Sequence, residues 1–252
     1  MTQTLVRQTN NDVPSEVSPC STCLLCDLNL CADAKTNQKG ATRQYDFATP
    51  LKSIRQTTPA RRPILHLNEW TEFVTIVCEG WASSSVVLPD GRRQILSFVL
   101  PGDVAPMVSL FEATSGHLTE SITRTTHRNF RREELQTVFF EDRRAMERLK
   151  KVWADDRLQI EKKALALGRQ TAEERIARLI LNKLDRLGKR GMTDGRTMEF
   201  PLRQHHIANA VGLTPVHVSR IMSEFRRNDL IEISERSLTV LDLPGLRHTA
   251  SF

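Results

Sequence analysis

Between Glu133 and Gly168 the chain contains neither glycine nor proline, and this stretch limits its architecture more than any other. Such a run is free to be one helix, and at roughly 30 residues it would be about 45 Å long, longer than a small domain is wide. Leu149, Trp153, Ile160 and Leu167 fall on it at spacings of four and seven, a coiled-coil-like stripe that Asp156 and Lys163 interrupt. A helix of this kind packs on its own domain or pairs with its copy. Its length favours the copy, with those four apolar residues as the dimer interface.

The text before the helix reads differently. From Ile64 to Thr126 it is strand-like: Phe73, Thr75 and Val77 alternate with Val74, Ile76 and Cys78, and the run stops at Glu79-Gly80. Pro89-Asp90-Gly91 is a turn between Val86-Val87-Leu88 and the run Ile95 to Leu100, which Pro101-Gly102-Asp103 closes. Short strands punctuated in this way predict an antiparallel roll or barrel. After Gly168, Thr171 to Arg175 is a capped helix start, and Ile176, Leu179, Ile180, Lys183, Leu184 and Leu187 carry one face to Gly188. The expected organisation is α+β: a flexible leader over 1–44, a roll over 45–132, a dimerisation helix over 133–168 and a second domain over 169–252.

Residues 203–228 hold the most specific signal. Arg203 to Val211 is a short helix, Gly212-Leu213-Thr214 a tight turn, and Pro215 opens a second helix at the first turn, where its missing N–H is tolerated. Val218, Ile221, Met222 and Phe225 give that second helix an inward face, Ala208 lets the two helices cross closely, and Leu213 plugs the core between them. Asp229 to Glu232 followed by Ser237 to Val240 is the hairpin of a winged helix. An ordinary helical hairpin explains the apolar spacing, but not the glycine turn, the polar start of the second helix and the wing together. The start of the second helix would then enter a major groove. There Arg220 can offer guanine a bidentate donor pair, His217 and Ser219 can reach bases or phosphates, and Val216 can meet a thymine methyl. Thr214 belongs to the same turn, and Arg203 and Gln204 are better placed for phosphate.

Charge is compatible with such a partner without selecting it. The 252 residues carry a formal net charge of +6, of which residues 169–252 supply 4, a mildly basic C-terminal third that a solvated surface explains equally well. No apolar run approaches a membrane span and the N-terminus has no signal-peptide core, so a cytoplasmic protein is expected. No histidine stands in a nucleophile–base arrangement and Gly102 and Gly116 form no phosphate loop, so an enzyme is not expected. Four of the five cysteines crowd between Cys20 and Cys31, which in a reducing compartment points to metal or redox chemistry rather than a disulfide framework.

Leu213-Thr214-Pro215-Val216-His217-Val218-Ser219-Arg220 resembles the recognition helix of the CRP/FNR family of bacterial transcription regulators, and Thr171 to Ile176 resembles that family's segment after the dimer helix. Cys78-Glu79-Gly80-Trp81, Leu88 to Ile95 and Leu100-Pro101-Gly102-Asp103 are similar to the sensory roll of its FNR-like members. The resemblance covers roughly 45–245. It implies a homodimer with a cyclic-nucleotide-binding-like jelly roll, a long dimer helix and a C-terminal winged helix-turn-helix on palindromic promoter DNA, activating transcription by touching RNA polymerase. Where FNR-type recognition helices carry a base-reading Glu this chain has Val216, so its half-site differs from theirs. Where nucleotide-binding members carry a phosphate-gripping element it has Gly116 to Ser121, so cyclic AMP is a poor candidate ligand.

Cys20, Cys23 and Cys31 are similar in spacing to the N-terminal cluster motif of the FNR-like branch, which implies a [4Fe–4S] cluster and oxygen or redox sensing. The family's fourth cysteine has no counterpart near Thr125 to Phe130. Cys78 would tie the segment to the roll, and Cys26 would make an all-local set. Zinc accepts the same four sulfurs, and a thiol–disulfide switch or a regulator that senses nothing are further readings. An iron–sulfur electron carrier would account for the cysteines but leave the winged helix unexplained.

Overall fold

The computed structural model of the chain describes residues 23–28, 30, 31 and 51–250. Seven strands form the roll. β1 (Ser53–Thr58), β7 (Thr125–Arg131) and β3 (Phe73–Glu79) make one antiparallel sheet in the order β1-β7-β3. β2 (Pro63–Leu65), β6 (Leu118–Ser121), β4 (Ala82–Val87) and β5 (Arg93–Val99) make the other, ordered β2-β6-β4-β5. The chain changes sheets at Gly80, which has φ +80°. A Cβ there would lie 2.3 Å from the Arg124 carbonyl oxygen, so only glycine fits. The next residue, Trp81, is fully buried, and its carbonyl accepts from the Ile122 N–H (2.7 Å) and the Thr125 hydroxyl (3.0 Å). The expected turns are in place. Asp90 accepts from the Arg92 N–H at 3.0 Å in the β4–β5 loop, and Asp103 accepts from the Leu100 N–H at 2.8 Å after β5.

Among the described residues the leader is no loose appendage. Helix α1 (Leu24–Asp27) and its flanks bury Cys23, Leu24, Leu25, Cys26, Leu28, Leu30 and Cys31, each 5% exposed or less, against Val74, Ile76 and Phe130 of the roll. The leucines between the cysteines are the reason, since they supply an apolar face that a flexible segment would waste in water. Cys20 and the remainder of 1–50 lie outside the described residues.

The long helix is divided. α2 (Arg132–Glu141) ends at Asp142, whose extended backbone (φ −106°, ψ 115°) breaks the run and whose carboxylate then caps α3 (Arg143–Arg169) by accepting from the N–H groups of Arg144 and Ala145. A capping aspartate thus interrupts a stretch that glycine and proline content left open. α3 keeps 27 residues, about 40 Å.

Its stripe needs a correction. Leu149 is 4% exposed and packs inside its own chain with Leu135, Phe139, Ala145 and the cysteine segment. Trp153, Ile160 and Leu167 remain 55%, 51% and 38% exposed. Asp156 and Lys163 do not interrupt that exposed row. They turn toward their own chain, because β5 is an edge strand with a bulge at Leu96, where Ser84 and Ser85 face Ser97 and Ile95. The Lys163 ammonium donates to the carbonyls of Ile95 and Leu96 that the bulge leaves to one side.

The C-terminal domain follows after two residues, Gln170 and Thr171. α4 (Ala172–Gly188) opens with a capping box, the Thr171 hydroxyl accepting from the Glu174 N–H (3.2 Å) and the Glu174 carboxylate from the Thr171 N–H (2.7 Å). β8 (Thr193–Asp194), β9 (Thr197–Glu199), β10 (Ile231–Ser234) and β11 (Ser237–Val240) pair in the order β10-β11-β9-β8 around α5 (Gln204–Val211) and α6 (Pro215–Arg227). A last helix, α7 (Leu243–Thr249), seals the core with Leu246. That core runs on into the roll: Ile176, Ile180, Val218 and Phe225 belong to one apolar cluster with Trp81, Ile95, Phe98 and Leu100.

Truncating Leu149 to alanine should lower unfolding stability by about 2–5 kcal/mol in urea titration and speed amide exchange across Leu24–Leu28, because it empties their contact. A loss under about 0.5 kcal/mol, the range of surface changes, would contradict the inward placement.

Candidate functional site

The helix-turn-helix is assembled from local chemistry. α5 starts at Arg203, whose N–H donates to Nδ1 of His206 at 3.1 Å. It ends at Gly212 in the left-handed region (φ +67°), where the Leu213 N–H returns to the Ala208 carbonyl at 3.1 Å. Arg175 of α4 reaches across and donates to the Val211 carbonyl at 2.7 Å, satisfying another helix-end acceptor. Thr214 then caps α6, its hydroxyl accepting from the His217 N–H at 3.2 Å, with Pro215 in the first turn.

Capping fixes which way α6 faces. Val218, Ile221, Met222 and Phe225 are buried, none more than 6% exposed, and hold the helix against the core. The opposite side is open: Val216 is 80% exposed, and His217 and Arg220 also face solvent, with Ser219 half-buried at the flank. Arg203 and Gln204 are exposed at the front of α5. Five of the seven expected contact residues therefore lie at the turn and the start of the second helix, and Arg203 and Gln204 lie at the far end of α5.

Sequence reasoning stopped two turns short. Arg227 continues the Val216–Arg220 row at helical spacing, Arg226 lies beside it donating to the Ser223 hydroxyl at 3.0 Å, and Arg236 is exposed at the tip of the β10–β11 wing. The i+4 step from Val216 to Arg220 and the i+7 step from Arg220 to Arg227 were the available signal. A protruding capped helix with a cationic outer row, flanked by a basic wing tip, presents donors to phosphates and base edges together.

The adjoining histidines are held neutral. The rings of His205 and His206 lie 4.0 Å apart. Burial lowers His206 to about 4, helped by the neighbouring His205, Arg203, Arg61 and Arg93, and burial also lowers His205.

The cysteine segment is the second candidate. Cys23, Cys26 and Cys31 are brought into one buried stretch tied by the Leu30 N–H to the Leu25 carbonyl (2.8 Å) and the Leu51 N–H to the Leu30 carbonyl (2.9 Å). Cys78 lies on β3, half-buried, its thiol 3.8 Å from the Ile76 carbonyl. Among the described residues no three His, Cys, Asp or Glu side chains are grouped so as to hold a metal ion. The donor type suits an iron–sulfur cluster or zinc. The set is incomplete without Cys20, which lies outside the described residues.

Known proteins share these features. Residues 174–249 match the Crp-like helix-turn-helix domain and residues 55–142 the cyclic nucleotide-binding domain. The nitrogen fixation regulation protein FixK of Rhizobium meliloti is 33% identical over 167 residues, covering 64% of this chain and 70% of that protein. The transcriptional activator protein FnrL of Cereibacter sphaeroides is 26% identical over 251 residues, 96% of each. The solved structure of FixK2 from Bradyrhizobium japonicum superposes with a TM-score of 0.71 at 28% identity, over 79% of this chain and 98% of that one.

His206 offers a test of the α5 cap. A folded-state value near 4 against about 6.5 unfolded means that the neutral ring stabilises the domain. That contribution is present above pH 6.5 and is lost as pH falls from there toward 4. NMR titration of the His206 ring should show a midpoint near 4, and His206→Ala should flatten stability over that window. A midpoint near 6.5 would contradict the arrangement.

Proposed function

The chain belongs to the CRP/FNR family of transcription regulators, and from that premise we propose that it is a homodimeric activator that binds palindromic promoter DNA and answers to oxygen or redox state through its cysteine segment. It is a DNA-binding transcription regulator and not an enzyme. The observation that carries the proposal is the capped α6, which buries one face completely and leaves Val216, His217 and Arg220 to the solvent. Arg220 reads a guanine, Val216 and His217 meet neighbouring positions, and Thr214, Ser219, Arg203 and Gln204 fix the register on phosphates.

Dimerisation is supported by what α3 leaves uncovered. Trp153, Ile160 and Leu167 form an exposed apolar row on one face of α3. A surface helix carrying that much apolar area is covered by a second copy across a two-fold axis. RNA polymerase is the further partner of an activator of this family. The cytoplasm is the compartment where both meet DNA, and among the described residues no helix is long and apolar enough to cross a membrane. Cyclic AMP is a poor candidate ligand, because Gly116 to Ser121 stands where nucleotide-binding members of the family carry their phosphate-gripping element.

For the sensor, Cys20, Cys23 and Cys31 with either Cys26 or Cys78 would hold a [4Fe–4S] cluster, which supplies oxygen-labile chemistry when bound. Support comes from the position of the segment: its leucines pack on Leu149, one turn from Trp153. A change in the segment therefore bears on the helix that carries the dimer row.

Arg220→Ala should cost about 1–3 kcal/mol on a cognate palindrome and relax one position per half-site, while Arg203→Ala should weaken all sequences alike and reduce the salt slope by about one. Equal effects on cognate and random duplex would reject the base-reading role. Ile160→Asp should convert the dimer to monomer in sedimentation, and an unchanged dimer would reject the row.

Anaerobic purification should give a coloured protein that bleaches in air. Serine at Cys20, Cys23 and Cys31 should abolish both the colour and the air dependence of DNA affinity. A colourless zinc protein, or equal air sensitivity in parent and variant, would reject the cluster and leave the DNA reading standing.

A further inference from the structure

Asp103, in the turn after β5, lies between the roll and α4 with its side chain 18% exposed. Its two carboxylate oxygens accept from Arg186 and Arg190, each at 2.5 Å, and one of them also accepts from the Leu100 N–H. The same arginines donate to the carbonyls of Phe98 (3.2 Å) and Pro101 (2.6 Å). With Lys163 on Ile95 and Leu96, the outer side of β5 and its turn are held by cations from α3, α4 and the turn just past α4. Lys183 is buried beside them, its ammonium 5.3 Å from the Phe98 ring centre, and Gln94 of β5 donates to the Ala210 carbonyl of α5 at 3.2 Å.

We propose that Asp103 is a positioning residue for DNA recognition: it latches α4 to the roll, so that the two recognition helices of a dimer present themselves at one fixed separation. The covalent link cannot do this alone, because α3 and α4 are joined by only Gln170 and Thr171, both extended, and rotation about those residues would swing the whole winged helix. Directional contacts must choose the angle. An ion pair with both oxygens engaged is suited to that, since buried ionic contacts select a geometry more than they add net stability.

The charge balance makes Asp103 the keystone. Four cations (Lys163, Lys183, Arg186, Arg190) meet two acids, Asp103 and Asp156. Burial alone would raise Asp103, yet Arg186 and Arg190 hold it at about 2, while burial lowers Lys163 to about 8 and Lys183 well below its ordinary value. Asp156 is raised by burial and by Asp103 and meets Arg186 electrostatically, whereas Asp103 is the carboxylate that both guanidiniums bond directly. Neutralising Asp103 leaves two guanidiniums facing each other without their counter-charge.

This inference rests on the dimeric, palindrome-binding reading above, and the experiment separates the two. Full-length parent, Asp103→Asn, Arg190→Gln and Asp103→Glu are compared by hydrogen exchange over 93–103 and 183–190. The same proteins are tested for binding to a single half-site, to the palindrome, and to palindromes with one base pair added or removed. Asp103→Asn and Arg190→Gln should exchange at least tenfold faster in both segments. They should lose at least tenfold in palindrome affinity, flatten the spacing preference, and stay within twofold of parent on the half-site, with Asp103→Glu recovering part of each. Unchanged exchange, or palindrome binding as tight as the parent's with its spacing preference intact, overturns the latch. A parent that binds palindrome and half-site alike overturns the dimer reading instead, and in that case exchange alone decides whether Asp103 holds the domains together.

Discussion

An edge strand with a bulge must find partners for carbonyls that no neighbouring strand can reach, and β5 is such a strand. Here the partners are cationic side chains from α3, from α4 and from the turn just past α4. That choice organises the molecule. It draws α3 across the roll through Lys163, clamps α4 through Arg186 and Arg190, and lets Trp81, Ile95, Phe98 and Leu100 continue the apolar core of the winged helix. Covering one sheet edge thus joins two domains that the sequence separates by only a short hinge. The cost is a set of buried charges, offset by mutual pairing rather than by water.

The recognition unit was legible because its chemistry is local. Thr214, Pro215, Gly212 and the inward spacing of Val218, Ile221, Met222 and Phe225 each act within a few residues, so their reading needs no knowledge of the rest of the chain. The capping box at Thr171 and the turns at Asp90 and Asp103 were legible for the same reason. The roll's strands followed from alternation and turn residues, although which sheet each strand joins depends on the corner at Gly80.

What was hidden depends on distant partners. Leu149 belongs to the same helical stripe as Trp153, and it points inward onto α2 and onto the leucines of the cysteine segment, more than a hundred residues earlier. Asp156 and Lys163 read as flaws in a seam because their partners lie on β5 and α4. Asp142 carried no breaker signal beyond its capping capacity, so one helix was expected where two are found. α7 was missed because its two apolar anchors, Leu246 and Ala250, are meaningful only against a core already built.

The packing of Leu24, Leu25, Leu28 and Leu30 against α2 and α3 bears on how this protein can be handled. A chain shortened to begin at Leu51 would strip those four leucines away and uncover Leu135, Phe139, Ala145 and Leu149. These would merge with Phe111, Phe140 and Trp153, which already face solvent around a shallow apolar hollow. A continuous sticky surface of that kind invites aggregation. Shortening the N-terminus is therefore a poor way to make an insensitive version of the regulator. Replacing sulfur by oxygen at the cysteines keeps the leucine lid in place and gives a chain whose solubility can be compared with the parent's.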